Sequence, residues 1–366
     1  MAEIRIENLH KAFGGFTAVR DSTFTVRDGD FFCLLGPSGC GKTTTLRMIA
    51  GLELPTSGRI ALGGEDVTFK RASQRDIAFV FQLFALYPHM NVRTNIAFPL
   101  RCEGMRGSEV EQRVEEAAKI LRIAHLLDLP VSGLSSGDRQ RVALGRAIVR
   151  KPLAFLLDEP LGALDAEFRE VMCGELRALH DRLKATTVYV THDQLEAMAM
   201  ADTIALMNQG VVEQLGAPQD IYDRPATLFA ADFIGSPPMS FVVFHGRVAP
   251  GDRSVRIGEV EVALPEAREG ANDADLVLGV RPEDIRLSTD APFRAEVLDA
   301  EYLGTTQIIT LATAAGARVK ARIAADLDVR PGETTGLTFR PEKLSLFDKA
   351  SGRVLRSALH DGATHG

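Results

Sequence analysis

A glycine-rich run that ends in a lysine and two threonines is the strongest chemical signal in the sequence. The run reads Gly-Pro-Ser-Gly-Cys-Gly-Lys-Thr-Thr and contains the pattern G-x-x-x-x-G-K-S/T. Glycines allow successive backbone N–H groups to converge on phosphate oxygens, Lys42 supplies a point charge to the β- and γ-phosphates, and the Thr43 hydroxyl reaches Mg²⁺. We therefore predict a nucleoside-triphosphate site formed by Gly36, Pro37, Ser38, Gly39, Cys40, Gly41, Lys42, Thr43 and Thr44.

Two adjacent carboxylates follow a short apolar segment farther along the chain. Asp158 and Glu159 come directly after Phe155-Leu156-Leu157, about 115 residues beyond the glycine-rich run. If this segment is a strand, both carboxylates emerge at the carboxyl edge of the sheet, where open α/β folds bind ligands. Asp158 is then placed to hold Mg²⁺ through water, and Glu159 to orient or deprotonate the attacking water. Together with the glycine-rich run, the pair predicts hydrolysis of the bound nucleotide.

Short apolar segments alternate with amphipathic helical patterns over residues 1 to about 235. This alternation predicts an α/β fold with a parallel sheet, and together with the glycine-rich run it predicts the P-loop NTPase type. The expected strands are apolar throughout, as strands buried on both faces should be, and comprise Phe31–Leu35, Ile77–Phe81, Ala154–Leu157 and Thr187–Val190. Helices are expected over Thr44–Ala50, from a Ser108-x-x-Glu111 capping box onward, and from about Ala166 to Leu183.

The sequence pattern changes after a linker-like Gly-Ser-Pro-Pro segment at residues 235–238. Short alternating segments separated by Gly and Pro predict an all-β module over residues 236–357, with a flexible tail at 358–366. Within it, Leu278–Leu287 and Leu337–Leu346 are identical at five of ten positions, 59 residues apart. A chance similarity is one interpretation, and a pair of related β-units is the one that we prefer.

Composition and charge exclude several classes of protein. The 366 residues carry 42 Lys and Arg against 49 Asp and Glu, a formal net charge of −7, so no nucleic-acid partner is expected. Hydrophobic residues make up 45% of the chain, yet no window approaches the roughly 18 consecutive apolar residues of a membrane helix. No signal peptide is expected, and the four cysteines, which form no CxxC pair, are expected to be reduced thiols.

Several further segments are weak indicators of function when taken singly, but their order along the chain is informative. Gln82 ends one expected strand and His192 follows another, while Phe13 lies in a Lys-Ala-Phe-Gly segment near the start. Residues 134–141 read Leu-Ser-Ser-Gly-Asp-Arg-Gln-Arg, and Ala163-Leu164-Asp165 follows the carboxylate pair. Together with the glycine-rich run, these segments resemble the motifs of the ATP-binding subunits of ABC transporters.

The resemblance implies a role for each of these residues. It implies that Gln82 senses the γ-phosphate and Mg²⁺, that His192 is the switch histidine at the γ-phosphate, and that Phe13 stacks on the adenine of ATP. Asp165 belongs to the D-loop, and the signature motif caps the ATP that a second subunit holds. The implied signature residues are Ser135, Ser136, Gly137 and Asp138. The implied catalytic residues are Lys42, Gln82, Glu159 and His192, and the implied Mg²⁺ ligands are Thr43, Gln82 and Asp158.

The resemblance also implies what the whole chain does. It implies an ABC-type nucleotide-binding domain over residues 1–235, with a helical subdomain at about 88–150, followed by a regulatory domain of OB-like β-units. Residues 209–222 and 233–239 are similar to the branch that serves bacterial carbohydrate, polyol and glycerol-phosphate importers. The implied activity is hydrolysis of ATP, with Mg²⁺, to power solute import. The implied partners are two integral-membrane permease subunits, a solute-binding protein and a second copy of the chain, at the cytoplasmic face of the inner membrane.

Alternative functions stay open at this point. Polyamine and iron importers carry a similar C-terminal segment, so the same ATPase role in such an importer is the first alternative. A soluble ABC ATPase of DNA repair or translation is less favoured, because the sequence shows neither a long coiled-coil insert nor a second nucleotide-binding domain. A third hypothesis adds binding of a regulator by the β-module. In this family the solute is selected by the binding protein and the membrane subunits, so the sequence does not identify it.

The signature departs at two positions from the Leu-Ser-Gly-Gly-Gln that is usual in the family. Ser136 adds a side chain near the expected phosphate path and Asp138 adds a carboxylate, whereas the other signature positions are retained. Ser136 is expected at the start of a helix. One hypothesis is that the charge of Asp138 repels the partner's ATP and weakens the nucleotide-bound dimer. The other is that Asp138 points toward Arg139, Arg141 or solvent and has no effect.

Overall fold

The structure, a computed structural model, describes residues 2–82, 85–162, 164–314 and 316–361. Packing divides the chain into two units, Met1–Pro218 and Gln219–His365. The boundary therefore falls after Pro218, whereas the sequence predicts it between residues 235 and 236. The packing of the second unit explains this difference.

Two sheets carry the first unit in the described part of the chain. Their strands are β1 (Ile4–Phe13), β2 (Phe16–Val26), β3 (Phe31–Leu35), β4 (Ser57–Leu62), β5 (Glu65–Asp66), β6 (Ile77–Val80), β7 (Ala154–Asp158), β8 (Thr186–Thr191), β9 (Thr203–Asn208) and β10 (Val211–Gly216). One sheet has the order β2-β1-β4-β5 and is antiparallel, and the other has the order β10-β9-β3-β8-β7-β6. In the second sheet β9, β3, β8, β7 and β6 are parallel, and β10 pairs antiparallel with β9 at the edge.

The parallel strands confirm the strand predictions to within one residue at most ends. Every residue of β3, β7 and β8 is buried, as expected of apolar strands that are covered on both faces. Since β3, β8, β7 and β6 are parallel neighbours, their carboxyl ends meet at one edge of the sheet. The chain leaves this edge at Gly36, His192, Glu159 and the segment before Gln82, so the fold itself gathers the predicted site.

Helices cover and flank this sheet. They are α1 (Lys42–Ala50), α2 (Val92–Cys102), α3 (Ser108–Ile120), α4 (Ser136–Ile148), α5 (Ala166–Leu183) and α6 (Gln194–Met200). The bounds of α5 are those predicted from its apolar spacing, and its buried face includes Met172, Leu176 and Leu179. In the described residues, no helix is both long and apolar enough to cross a membrane.

The predicted capping box of α3 is wrong. The N-cap residue is Gly107, with no side-chain cap, and Ser108 is the first helical residue. A serine inside the helix cannot occupy the cap position, from which its oxygen would accept a hydrogen bond from the N2 or N3 backbone N–H. Glu111 instead forms an ion pair with Arg93 of α2. This residue therefore links two helices rather than closing the end of one.

The second unit is dominated by β-structure. It begins with the short helices α7 (Pro218–Asp223) and α8 (Leu228–Phe233). Its strands are β11 (Ser240–Val248), β12 (Ser254–Ile257), β13 (Val260–Ala263), β14 (Ala271–Val280), β15 (Ile285–Ser288), β16 (Phe293–Tyr302), β17 (Thr306–Thr313), β18 (Arg318–Ala324), β19 (Thr334–Phe339), β20 (Ser345–Asp348) and β21 (Val354–Leu355). They form sheets in the orders β11-β14-β20-β21, β12-β13 and β15-β19-β16-β17-β18. A shared apolar core fills the space between them.

The two similar segments are related β-units, which supports the preferred interpretation. Each runs from the end of one strand through Arg-Pro-Glu into a 3₁₀ turn, Pro282–Asp284 or Pro341–Lys343, and then into the next strand. The pairing between them is reciprocal. Leu278 of β14 pairs with Leu346 of β20, and Leu287 of β15 pairs with Leu337 of β19.

The contacts of Arg281 explain why α7 and α8 pack with the second unit. Its guanidinium is 3% exposed and donates to the carbonyl oxygens of Tyr222 at 2.7 Å and Ala231 at 3.3 Å, and also to that of Ile234. Ala231 also packs in a small apolar cluster with Phe347 and other residues of the β-strands. The segment before the Gly-Ser-Pro-Pro sequence therefore belongs to the β-rich unit, although the linker-like composition begins only at Gly235.

The predicted flexible tail also begins too early. Ala358–His360 forms a 3₁₀ turn, His360 is fully buried, and Asp361 accepts hydrogen bonds from Arg268. These contacts order the chain through residue 361. The rest of the predicted tail, residues 362–366, lies outside the described residues.

Replacing Arg281 with methionine should lower the free energy of unfolding of the second unit by about 2 kcal/mol. Methionine keeps much of the bulk but leaves buried carbonyl groups without a donor. Calorimetric melting of the full-length chain measures the loss. The matched control is Arg330→Met in the same unit, where a 71% exposed side chain pairs with the 76% exposed Asp328 and the melting midpoint should stay close to the native value. Equal losses in the two variants would contradict the anchoring role of Arg281.

Candidate active site

The glycine-rich run forms the loop between β3 and α1. Gly36 and Gly41 have φ angles of +154° and +105°, which residues that carry a Cβ atom rarely adopt. A Cβ atom at Gly36 would lie 2.1 Å from the carbonyl oxygen of Met207, and one at Gly41 would lie 2.4 Å from that of Ala18. Both positions therefore require glycine. The loop leads directly into the N-terminus of α1, the arrangement that binds phosphate groups.

Lys42 lies inside this loop. Its side chain is 4% exposed, and its ammonium group donates to the carbonyl oxygens of Gly36 at 2.8 Å and Pro37 at 2.9 Å and lies 3.8 Å from the Cys40 sulfur. The positive charge is thus held where a phosphate bound to the loop would meet it. Among the other predicted loop residues, Ser38 and Gly39 are exposed, Thr43 and Thr44 are half-buried, and Cys40 is buried.

Thr43 and Asp158 form the first bridge between the loop and the carboxylate pair. The Thr43 hydroxyl donates to Asp158 Oδ1 at 3.0 Å. Asp158 is buried at the end of β7, and desolvation raises the pKa of its carboxyl group above the usual value. A half-buried hydroxyl in contact with a buried carboxylate is a ligand set that suits Mg²⁺, which is commonly bound by one or two carboxylates together with substrate phosphates. The residues present therefore fit the ion.

Glu159 is the point at which the side chains of Gln82 and His192 meet, two of the other three predicted catalytic residues. Gln82 Nε2 donates to Glu159 Oε2 at 3.2 Å, and His192 Nδ1 lies 3.3 Å from Glu159 Oε1. The Glu159 backbone N–H donates to Val190 of β8 at 3.0 Å, and its φ angle is +43°. A positive φ at a non-glycine residue is uncommon and needs support from its surroundings. Each carboxylate oxygen thus has its own partner from a different loop.

Phe13 lies on the antiparallel sheet, at the end of β1. Its ring is 47% exposed, and the Lys11 ammonium group lies 4.6 Å from the ring centroid. Glu53 holds that ammonium group at 2.7 Å. A half-exposed aromatic ring offers a face on which a base can stack.

The signature segment caps α4, as the sequence predicts. Ser135 is the N-cap residue and Ser136 is the first helical residue. The Ser135 oxygen accepts from the Asp138 backbone N–H at 3.1 Å, while its hydroxyl donates to Asp138 Oδ2 at 2.7 Å. Arg141 donates to Asp138 Oδ1 at 3.4 Å and, through two nitrogens, to Glu175 at 3.2 Å each. Asp138 therefore faces its own helix and Arg141, the orientation that the second hypothesis describes, and it also engages Ser135.

Gly137 has a structural reason that the sequence did not show. A Cβ atom at this position would lie 2.2 Å from the Phe168 ring of α5. Asp165 of the D-loop is the N-cap residue of α5 and accepts from the Phe168 backbone N–H at 2.9 Å. The signature helix thus packs against the side chain of the residue whose backbone N–H the D-loop aspartate caps. Ala163, also predicted in the D-loop, lies outside the described residues.

Comparison with known proteins shows the family. The model of the ABC transporter family matches residues 19–162, which contain the glycine-rich run, Gln82, the signature and the carboxylate pair. Models of the TOBE domain and of the CysA C-terminal regulatory domain match residues 278–347 and 243–287. The trehalose/maltose import ATP-binding protein MalK of Thermococcus litoralis is 45% identical over 97% of this chain and 100% of that protein. The chain belongs to the ABC-transporter ATP-binding subunits.

Other ABC-transporter proteins match along similar lengths. The trehalose import ATP-binding protein SugC of Mycobacterium tuberculosis is 44% identical over 97% of this chain and 98% of that protein. The sn-glycerol-3-phosphate import ATP-binding protein UgpC 2 of Agrobacterium fabrum is 44% identical over 98% and 95%. Among solved structures, cbiO1 from Clostridium perfringens, part of the ABC transporter complex cbiONQ, matches with a TM-score of 0.56 and 27% identity over 60% of this chain and 89% of that chain.

A bacterial ABC transporter cassette solved as a dimer gives a TM-score of 0.53 and 30% identity over 59% of this chain and 98% of that chain. These matches confirm the predicted fold class, a P-loop NTPase domain of the ABC type followed by a β-rich regulatory domain. They also confirm the predicted activity. The chain is an ATP-hydrolysing subunit that drives solute import.

The sequence did not point to three further candidate functional residues near His192. They are Asp193 and Glu196, which follow His192 in the sequence, and Arg169, which forms ion pairs with both carboxylates. Each is a common charged residue outside any recognised motif, and only their contacts in three dimensions distinguish them.

Proposed function

We propose that this site hydrolyses Mg²⁺-bound ATP with Glu159 as the residue that orients the attacking water and accepts its proton. The observation that carries the proposal is the placement of the Glu159 carboxylate between Gln82 and His192, next to the Thr43–Asp158 pair. A carboxylate whose two oxygens are held by separate partners has a fixed direction, and a positioned base is effective only when its direction is fixed.

The loop residues bind and orient the phosphates in this proposal. Backbone N–H groups of the loop and the N-terminus of α1 receive phosphate oxygens, and Lys42 exchanges its carbonyl partners for the β- and γ-phosphates. Phe13 stacks on the adenine through its exposed face, while Lys11 occupies a position over the ring.

Thr43, Gln82 and Asp158 are the proposed Mg²⁺ ligands. The ion, when bound, neutralises charge that develops on the phosphate oxygens. Asp158 is suited to this because burial makes its ionised form costly, and a nearby cation offsets that cost. The Gln82 amide nitrogen donates to Glu159, and its carbonyl oxygen, the acceptor of this side chain, is the atom that would bind the ion.

We further propose that two copies of the chain bind two ATP molecules between them, each signature capping the partner's nucleotide through Ser135, Ser136, Gly137 and Asp138. The solved cassette that is described as dimeric supports this arrangement. Two integral-membrane permease subunits and a solute-binding protein complete the proposed assembly. The chain then works as a peripheral subunit at the cytoplasmic face of the inner membrane.

The proposed solute is a sugar, polyol, glycoside or glycerol phosphate. Support comes from the names of relatives that match along nearly the whole chain, which import trehalose, maltose or sn-glycerol 3-phosphate. These names favour this class over the polyamine or iron importer that the C-terminal segment leaves open.

Reconstitution of the transport complex tests the proposal. The chain is co-expressed with the permease subunits and the binding protein encoded beside it, and the complex is placed in lipid vesicles. We expect co-purification and ATP hydrolysis that trehalose, maltose or glycerol 3-phosphate stimulates several-fold in the presence of Mg²⁺. Stimulation by spermidine or ferric iron instead would replace the solute class. Failure of the chain to associate with any permease would overturn the transport role.

A further inference from the structure

Arg169 joins two loops that border the catalytic carboxylate. It lies in the first turns of α5, directly after the D-loop. Its Nη2 donates to the carbonyl oxygen of Leu164 at 3.0 Å, and its Nη1 donates to Asp193 Oδ2 at 3.0 Å. Its Nε lies 3.6 Å from Glu196 Oε1. One guanidinium thus contacts the D-loop backbone and the residue that follows the switch histidine.

The Asp193 end of this link is firmly attached to the His192 loop. Asp193 is the N-cap residue of α6, and its Oδ1 accepts from the Leu195 backbone N–H at 2.8 Å. Its own backbone N–H donates to the Thr191 hydroxyl at 3.0 Å. Since His192 is the residue between Thr191 and Asp193, a displacement of Asp193 displaces the imidazole that lies 3.3 Å from Glu159.

The second carboxylate on this side, Glu196, fixes the other end of the same loop. It is 4% exposed and accepts from the hydroxyls of Tyr189 and Thr191 at 2.7 Å each. Burial raises the pKa of its carboxyl group, and the nearby Arg169 charge opposes that shift. Arg169 therefore faces a pair of carboxylates that together hold the residues on both sides of His192.

We propose that Arg169 is a positioning residue that couples the D-loop to the switch-histidine loop, so that the place of Leu164 sets the place of His192 relative to Glu159. The inference rests on the proposed roles of Glu159 and His192. Arg169 acts through Asp193 and is not itself a catalytic residue. The planar guanidinium suits this task because it holds two acceptors in fixed directions at once, which a lysine ammonium group does less well.

The alternative is that Arg169 merely stabilises α5. Arg177, on the same helix, is the matched control, because it has a similar set of partners at a distance from the site. It donates to the Met200 carbonyl oxygen at 2.8 Å, to Asp202 at 2.8 Å and to Asp181 at 2.9 Å. It therefore ties α5 to the end of α6, whereas Arg169 ties it to the start.

The test compares Arg169→Met, Arg169→Lys and Arg177→Met in the full-length chain. For each variant the midpoint of thermal unfolding, the Kd for ATP, and kcat and KM for hydrolysis are measured. We expect Arg169→Met to lower kcat about 10- to 100-fold with an unchanged Kd for ATP, because a small displacement of a positioned group has this effect. Arg169→Lys should fold normally and lower kcat less. Arg177→Met should lower the unfolding midpoint and leave kcat as it is.

Asp193→Asn separates the link from simple helix stability. Asparagine caps helices as well as aspartate does, so α6 keeps its N-cap while the charge that faces Arg169 is lost. We expect this variant to lower kcat, and the Arg169→Met/Asp193→Asn double variant to lower it no further than the stronger single variant does.

The outcomes distinguish the inference from the proposed function. If Arg169→Met and Arg169→Lys keep the native kcat while Glu159→Gln abolishes turnover, the coupling role is wrong and the catalytic assignment stands. If Arg169→Met does not fold, the lysine and asparagine variants decide, and native kcat in both overturns the coupling. If Glu159→Gln itself retains turnover, the assignment on which the inference depends fails first.

Discussion

Replacing Glu159 with glutamine should leave ATP binding intact and lower the turnover number about 10²- to 10⁴-fold. Glutamine has the same shape but its amide cannot take a proton from water. The residues that we propose hold the nucleotide, Lys42 and Thr43, lie on the glycine-rich loop and keep their contacts. We therefore expect the substitution to affect the chemical step and not binding: the Kd for ATP stays unchanged while kcat falls.

Nucleotide titration and steady-state hydrolysis measure the two quantities on the same preparation. Glu115→Gln is the matched control, because this carboxylate is exposed on α3, a helix that carries none of the predicted site residues. It should hydrolyse ATP at the native rate. Hydrolysis by Glu159→Gln at a rate close to that of the control would refute the assignment of the base.

The placement of the candidate site at one edge of the sheet was predictable from the sequence, because each part depends on a local pattern. The glycine-rich loop and the Asp158-Glu159 pair each follow a strand that is apolar throughout, and parallel strands present such residues at one edge. The fold then joins residues that are distant in sequence. Thr43 meets Asp158 across 115 residues, and Gln82 meets Glu159 across 77.

What the sequence did not predict depends on individual contacts across the fold. Arg281 and Arg340 occupy equivalent positions of the two β-units, yet the first is buried against the carbonyl groups of α7 and α8 and the second is half-exposed. The domain boundary followed from that difference. Likewise, Ser108 and Glu111 have the spacing of a capping box, but the position of Arg93 on α2 gives Glu111 a different partner.

The signature motif is a second case in which the sequence did not determine the contacts of a side chain. The sequence raised two hypotheses for Asp138, repulsion of the partner's ATP or a turn toward an arginine. The structure shows the turn toward Arg141, and it adds that the Ser135 hydroxyl donates to Asp138. Arg141 also pairs with Glu175, so this cluster of one cation and two carboxylates keeps a net negative charge. Both effects oppose an incoming phosphate, because the hydroxyl is engaged and the local charge is unfavourable.

Restoring the usual motif with Ser136→Gly and Asp138→Gln should therefore tighten the ATP-dependent dimer. Loss of the carboxylate is worth on the order of 1 kcal/mol at a closed, water-excluded site, since buried charges are little screened by salt. The proposed dimer has two such sites, so the gain is about 2 kcal/mol, or roughly 30-fold in the dimer dissociation constant. Sedimentation of the Glu159→Gln form with ATP measures it without interference from hydrolysis.

Asp138→Asn alone separates charge from the added Ser136 side chain. Asparagine keeps an acceptor for the Ser135 hydroxyl, so a gain in dimer affinity from this single change would arise from charge, and a gain seen only in the double variant would arise from Ser136 or from release of Ser135. In the chain with native Glu159, the restored motif should also speed hydrolysis in the permease-coupled complex, if the nucleotide that the partner's signature caps is the form that reacts, as we propose. If the double variant leaves both dimerisation and coupled turnover at native values, the Ser135–Asp138 contact does not compete with nucleotide, and the departure from the usual motif has no functional effect.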